Sequence, residues 1–192
     1  MLKEKLSEYN IILASNSPRR QQFFKDLQLS FSIKTKGTEE VYPETLKGAE
    51  ISDYLAELKS KAFNTLNEKD ILITSDTIVW HNNKALGKPK DIKEATKMLS
   101  QLSNNTHTVI TSVCIRTKNQ QTIFNDSTQV TFKKLSLEEI EFYINNFSPF
   151  DKAGSYGIQD WIGKIGITNI EGCYFNVMGL PIQKLYKELM NI

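Results

Sequence analysis

Histidine is nearly missing from this chain. Among 192 residues there are two, His81 and His107, too few for a histidine-rich metal centre, so any acid–base role falls to a carboxylate. Cysteine is equally scarce. Cys114 and Cys173 lie far apart with no CxxC spacing, which gives neither a disulfide framework nor a zinc site. Both suit small core positions. The formal charge of +2 supplies no global field for nucleic acid or an anionic membrane. No apolar run is long enough to cross a bilayer. The opening "MLKEKLSEYN" carries Lys3, Glu4, Lys5 and Glu8 in place of a signal-peptide apolar region, so the expected location is cytoplasmic. Absent too are GxxxxGK[ST], GxGxxG, HExxH and GxSxG, which removes the familiar phosphate loops, the zinc protease helix and the nucleophile elbow.

What is present is an ordinary globular composition, 40% hydrophobic, of a length that suits one domain over residues 1–192. No repeat, low-complexity segment or linker interrupts it. Ile11–Ala14 reads as a buried strand, followed by a helix with Pro18 in its first turn and Phe23, Phe24 and Leu27 on one face. Phe31–Thr35 alternates like a strand, and residues 36–47 read as a loop. Ile51, Leu55, Leu58, Ala62 and Leu66 recur at helical spacing and predict a helix over Ala49–Leu66. Ile71–Trp80 is β-branched enough for a central strand, and His81–Lys84 ("HNNK") for a hairpin turn. Asp91 with Glu94, and Ser136 with Glu139, open two further helices as capping boxes, the second running to Asn146. Between them, "THTVITSVCIR" and "QTIFNDSTQVTFKK" predict two long strands joined near Lys118–Gln121. A glycine-punctuated stretch, Gly154–Gly172, precedes a last helix from about Pro181. Interleaved helices with a long hairpin predict an α/β fold on a mixed sheet.

Four islands put polar groups where a core would otherwise be. In "SNSPRR" the short residues Ser15 and Ser17 let backbone amides face a ligand at a helix N-terminus, and Arg19 and Arg20 offer forked geometry for phosphate oxygens. Taken singly, SPRR fits a helix with solvated arginines better than a phosphate site. "SDT" places Asp76 inside an apolar strand, where a carboxylate is costly unless hydrogen-bonded, paired or metal-bound. "LGKPKD" fixes Lys88 on a turn between Gly87 and Pro89, a commonplace feature alone. "DKAGSYGIQD" and "EGCYFNVMGLP" bring glycines together with Gln159 and Asn176, whose amides can read a base edge or simply hold a loop. Glu39 and Glu40 matter only if the fold turns one toward Asp76, since carboxylates from two segments suit Mg²⁺ or Mn²⁺. Lys59 and Lys61, two positions apart on one helix, cannot both face a site. His107 reads as a core or hydrogen-bonding residue.

In this order, "LASNSPRR", "EE", "LAELKSKA", "SDTIV", "LGKP", "THTVIT", "DKAGSYGIQ" and "GCYFNVMGLP" resemble the Maf family of nucleotide pyrophosphatases over residues 13–181. The resemblance implies an inosine-triphosphatase-like mixed sheet flanked by helices, with two lobes around a cleft. It implies hydrolysis of a nucleoside triphosphate to the monophosphate and pyrophosphate, with a divalent metal cation. "SPRR", "DT" and "YGIQ" look like the branch acting on dTTP and UTP, with Asp76 as proton acceptor and Arg19, Thr77 and Gln159 setting base preference. Lys59, Lys88, Arg19 and Arg20, with Ser15 and Ser17, are then the expected phosphate-side groups, and Glu39 with Asp76 the expected metal ligands. Where relatives often carry glycine after "GIQ", this chain has Asp160 and then Trp161.

The expected partner is a nucleoside triphosphate, with neither nucleic acid nor membrane, and a homodimer is left open. A pyrophosphatase for modified purine nucleotides and a nucleotide-binding regulator of septum formation are the competing readings. A pure regulator would not need a carboxylate in a strand beside several cations.

Overall fold

The apolar run near the head of the chain forms β1 (Asn10–Leu13), which pairs in parallel with both β2 (Phe31–Ile33) and β3 (Asp70–His81). Residues 1–192 are all described by the computed structural model. The third strand turns back through Asn82 and Asn83, both at positive φ, into antiparallel β4 (Lys84–Leu86). Two consecutive asparagines at positive φ are what a two-residue hairpin turn demands. β5 (Thr106–Arg116) and β6 (Gln121–Phe132) are neighbours, and the turn between them is closed by Thr117 N–H donating to Gln120 O at 2.9 Å. With β7 (Ile167–Glu171) antiparallel to β6, the order of the seven-stranded mixed sheet is β2-β1-β3-β5-β6-β7, β4 pairing with β3. The mixed α/β sheet expected from the sequence is therefore the observed one.

The chain divides into two compact units: Met1–Asp76, Thr111–Asp126 and Gly179–Ile192 make one, Thr77–Ile110 and Ser127–Met178 the other. The first holds α1 (Leu2–Lys5), α2 (Pro18–Asp26), α3 (Ala49–Lys61) and α8 (Ile182–Leu189). α3 buries Ile51 and Leu55 as its spacing requires, but it ends at Lys61, short of the expected Leu66. Asn64, Thr65 and Asn67 are poor helix formers. Phe63 and Leu66 are buried all the same, from a non-helical segment, against Ile12 and Leu72. Leu66 was legible as core and misread as helix.

The second unit holds α4 (Ile92–Leu102), α5 (Leu137–Phe147), α6 (Trp161–Gly166) and α7 (Tyr174–Val177), with short 3₁₀ turns at Pro149–Asp151 and Ala153–Ser155. Both expected caps form. Asp91 accepts from Glu94 N–H at 2.7 Å, and Ser136 and Glu139 exchange bonds of 3.2 and 2.9 Å. The core gathers Leu99, Leu102, Val130, Phe132, Tyr143 and Ile162. His107 is part of that packing: 2% exposed, it stacks on Phe132 at 5.7 Å and meets Tyr156 edge-on, its Nε2 lying 2.7 Å from the Tyr156 hydroxyl. No helix of either unit is long and apolar enough to cross a membrane. The two cysteines are unpaired, and burial pushes the Cys114 thiol up.

Removing the α5 cap by Ser136→Ala is expected to cost about 1 kcal/mol, read as a lower urea midpoint at unchanged slope. A second expectation concerns pH. Burial, with a smaller contribution from His81, pushes His107 down to about 3 from 6.5, so the folded state excludes a proton that the unfolded chain takes up. The stability this neutral ring allows is full above about pH 6.5 and falls as pH drops toward 3. Between pH 7.5 and 5.5 the loss should be about 1.4 kcal/mol. His107→Gln, which keeps a partner for the Tyr156 hydroxyl, should flatten that slope in unfolding measured at both pH values; an unchanged slope would place the titrating group elsewhere.

Candidate active site

In the first unit the chemistry collects at Asp76, midway along β3. Residues 70–75 of that strand are buried in sequence, and Asp76 follows at 6% exposure. Its charge is met. Lys59 Nζ lies 2.5 Å from Asp76 Oδ1 and 2.9 Å from Glu40 Oε1, so one ammonium joins a strand carboxylate to a loop carboxylate. α3 is fixed for this by Thr74, whose hydroxyl donates to Ala56 O at 2.6 Å. Ala56 and Lys59 are three residues apart and share a helix face. Lys61 turns to a surface pair with Glu57 at 2.9 Å. Glu39 is exposed, and it is Glu40 rather than Glu39 that reaches Lys59.

Arg20 approaches the same part of β3 from α2. Its Nε donates to Gly179 O at 2.8 Å and its Nη1 to Ser75 O at 3.1 Å. Burial pushes this guanidinium down to about 10; Asp76 and Glu40 oppose that shift and Arg19 adds to it. It stays protonated at neutral pH. Arg20, expected as a phosphate ligand, thus also braces the chain: it ties the start of α2 to the strand carrying Asp76 and to the segment before α8. Ser17 is the N-cap of α2 but makes no side-chain cap bond; its N–H donates to Ser15 Oγ at 3.2 Å, and Pro18 occupies the first turn. The serines shape the turn, and the amides of that first turn are not capped by Ser17.

The second unit begins at Thr77, which is partly buried, and carries Lys88, Gln159 and Asn176. Lys88 is exposed on a turn held by its neighbour, Gly87 O accepting from Gly154 N–H at 3.0 Å. Gly154 must be glycine: it sits at φ +66°, and a Cβ there would stand 2.8 Å from a methyl of Val79. Gln159 Oε1 is buried without a hydrogen-bond partner, as is Ser155 Oγ. A buried acceptor left unmatched costs roughly 1–3 kcal/mol. Asn176, whose amide could read a base edge or hold a loop, is fully buried and donates both amide protons within its own unit, to Val109 O at 3.0 Å and Thr128 Oγ1 at 2.9 Å. Thr128 Oγ1 also accepts from Cys173 N–H at 3.0 Å, so Asn176 holds the loop that bears it. Of the two readings, these bonds favour the loop.

Could the first-unit residues hold a divalent cation? No cluster of three or more His, Cys, Asp or Glu side chains converges anywhere, so the protein alone offers no closed cage. Asp76 and Glu40 nevertheless meet at one ammonium, and a hard dication is commonly held by one or two carboxylates plus substrate phosphate oxygens. The donor set fits a metal that arrives with a phosphate ligand. No local pattern in the sequence chooses between Glu39 and Glu40, and it is Glu40 that reaches Lys59.

The chain is similar to known proteins over nearly its whole length. Proteins named dTTP/UTP pyrophosphatase from Flavobacterium psychrophilum and Flavobacterium johnsoniae are 59% and 58% identical to this chain, covering 100% of it and 98% and 100% of their own lengths. One from Phocaeicola vulgatus is 51% identical over 98% of this chain and 99% of its own. A solved HAM1 protein from Coxiella burnetii superposes with a TM-score of 0.54 over 96% of this chain and 100% of that one, at 16% identity, a likeness of fold. Residues 10–192 match the family described as Maf-like protein, and the chain belongs to the Maf family.

Proposed function

We propose that this protein is a nucleoside triphosphate pyrophosphatase that hydrolyses dTTP and UTP to the monophosphate and pyrophosphate, clearing the cytoplasmic nucleotide pool. The observation that carries the reading is the Lys59 ammonium set between Asp76 and Glu40 beside Arg20. The names of the relatives at 51–59% identity support it.

The reaction makes one P–O bond and breaks another: water oxygen attacks the α-phosphorus, and the bridging oxygen leaves with pyrophosphate. Asp76 accepts the proton lost by the water, and its Oδ1 is already oriented by Lys59. Negative charge grows on the leaving group, where Lys59, Lys88, Arg19 and Arg20 stabilise it. A divalent cation held by Asp76 and Glu40, when bound, would supply charge neutralisation at the phosphates. Gln159 carries both a donor and an acceptor for a pyrimidine edge, and Thr77 and Arg19 complete the base-setting group.

The test is pyrophosphate release with Mg²⁺ or Mn²⁺ from dTTP, UTP, CTP, GTP, ITP and 7-methyl-GTP. Preference for dTTP and UTP is expected, and Asp76→Asn should lower kcat by ~10²–10⁴ while nucleotide binding by calorimetry persists. Full turnover in that variant would remove Asp76 from the chemistry. The two loop carboxylates separate in a metal titration. Glu40→Gln should raise the half-saturating metal concentration several-fold, with Glu39→Gln close to wild type. A larger effect at Glu39 would reverse the assignment.

A further inference from the structure

Gln159 lies third in a tight turn, Gly157–Asp160, closed by Asp160 N–H donating to Gly157 O at 3.0 Å. Both ends of this turn are fastened to one atom. The Tyr143 hydroxyl accepts from Gly157 N–H at 3.1 Å and donates to Asp160 Oδ2 at 2.7 Å. Tyr143 is fully buried on α5, and burial together with Asp160 pushes its phenol up, so it remains a donor. The carboxylate folds back over the turn so closely that a Cβ on Gly157 would come within 2.5 Å of Asp160 Oδ2. Lys152 Nζ stands 3.9 Å from the same oxygen.

Asp160 is also the N-cap of α6, the position where an aspartate ordinarily accepts from the first-turn amides, yet it makes no side-chain cap bond. Its carboxylate is given to Tyr143 instead. From the other side Gly163 packs on the carbonyl of Ile158, where a Cβ would overlap the oxygen at 2.0 Å. The residue between Ile158 and Asp160 therefore has its backbone fixed by three separate contacts, and it is the one with a buried, unmatched acceptor.

We propose that Tyr143 and Asp160 are positioning residues that aim the Gln159 amide and so set discrimination between nucleobases. This rests on the function proposed above. An amide tells a thymine or uracil edge from a cytosine edge only if its donor and acceptor are held in one orientation, because the two edges exchange donor for acceptor at the exocyclic group. A loosened turn lets the amide rotate and accept either.

The experiment compares kcat and KM for dTTP and CTP in wild type, Tyr143→Phe, Asp160→Ala and Asp160→Asn, with melting temperature as the control for folding. Asp160→Ala and Tyr143→Phe are expected to lower the dTTP-over-CTP ratio of kcat/KM by tenfold or more, chiefly through KM, with kcat on dTTP changed less than threefold. Asp160→Asn, which still accepts from the phenol, should restore the ratio. Folded variants that keep wild-type discrimination overturn the proposal, as does a failure of Asp160→Asn to differ from Asp160→Ala. Should Tyr143→Phe not fold, the Asp160 pair decides alone. Wild-type protein that hydrolyses none of the nucleotides would overturn the functional reading instead. The clamp is then judged by calorimetric binding of α,β-imido-dUTP against α,β-imido-dCTP in the same variants, where an unchanged ratio rejects it.

Discussion

A carboxylate inside a largely buried strand constrains everything around it. β3 is apolar from Ile71 to Ile73 and continues to Ile78 and Val79, so it belongs in the middle of the sheet, and Asp76 is carried there with it. An ionised group so placed loses much of its hydration, and only a close partner makes the position tolerable. Lys59 at 2.5 Å is that partner. Its own placement depends on α3 lying against β3, which the Thr74–Ala56 bond enforces two residues before Asp76. Sheet, helix and ion pair are one arrangement.

The same centre explains why a strand is followed at once by two arginines. Asp76 and Glu40 carry −2 against +3 from Lys59, Arg19 and Arg20, so the group keeps a positive excess after its internal pairs are formed. Such an excess suits an anion, and a triphosphate meets it best if a dication offsets the remaining charge. Arg20 shows that binding and architecture need not be separate roles. Its bonds to Ser75 O and Gly179 O hold the strand that presents Asp76, so its removal would disturb the carboxylate as well as the phosphate field.

How much of this was legible in the sequence depends on the range of the interaction that decides each feature. Features fixed by near neighbours were readable: the Asn82–Asn83 turn, the Ser136–Glu139 box and the hairpin built from Thr106–Lys134 all follow from residues a few positions apart. So was the need for a partner at Asp76, because a carboxylate in an apolar run demands one. What was not readable depends on where distant segments meet. Whether Glu39 or Glu40 faces Lys59 is set by the path of a loop, and adjacent residues give no periodicity to choose between them. Leu66 kept its burial while losing its helix, since an apolar side chain can be buried from either backbone state. Asn176 looked like a ligand group because an amide in a glycine-rich loop serves recognition and loop-holding with the same atoms; only its bonds to Val109 and Thr128 separate the two.

The division of the chain between Asp76 and Thr77 also divides the chemistry by kind. The first unit's functional groups are mostly ionised: Asp76, Glu40, Lys59, Arg19 and Arg20. The second unit's are mostly neutral, with Thr77, Gln159 and the Tyr143 phenol, Lys88 being the exposed exception. The function proposed above calls for both kinds of recognition. Phosphates are bound by charge, which acts over several ångströms and tolerates small errors of position. A base edge is read by neutral donors and acceptors, which discriminate only when their geometry is held to a fraction of an ångström and their alternatives are excluded. A charged centre can therefore be built on long lysine and arginine stems around one fixed carboxylate. The neutral reader proposed above needs a stiff support, and the Gly157–Asp160 turn has one in the Tyr143 phenol that fastens it at both ends.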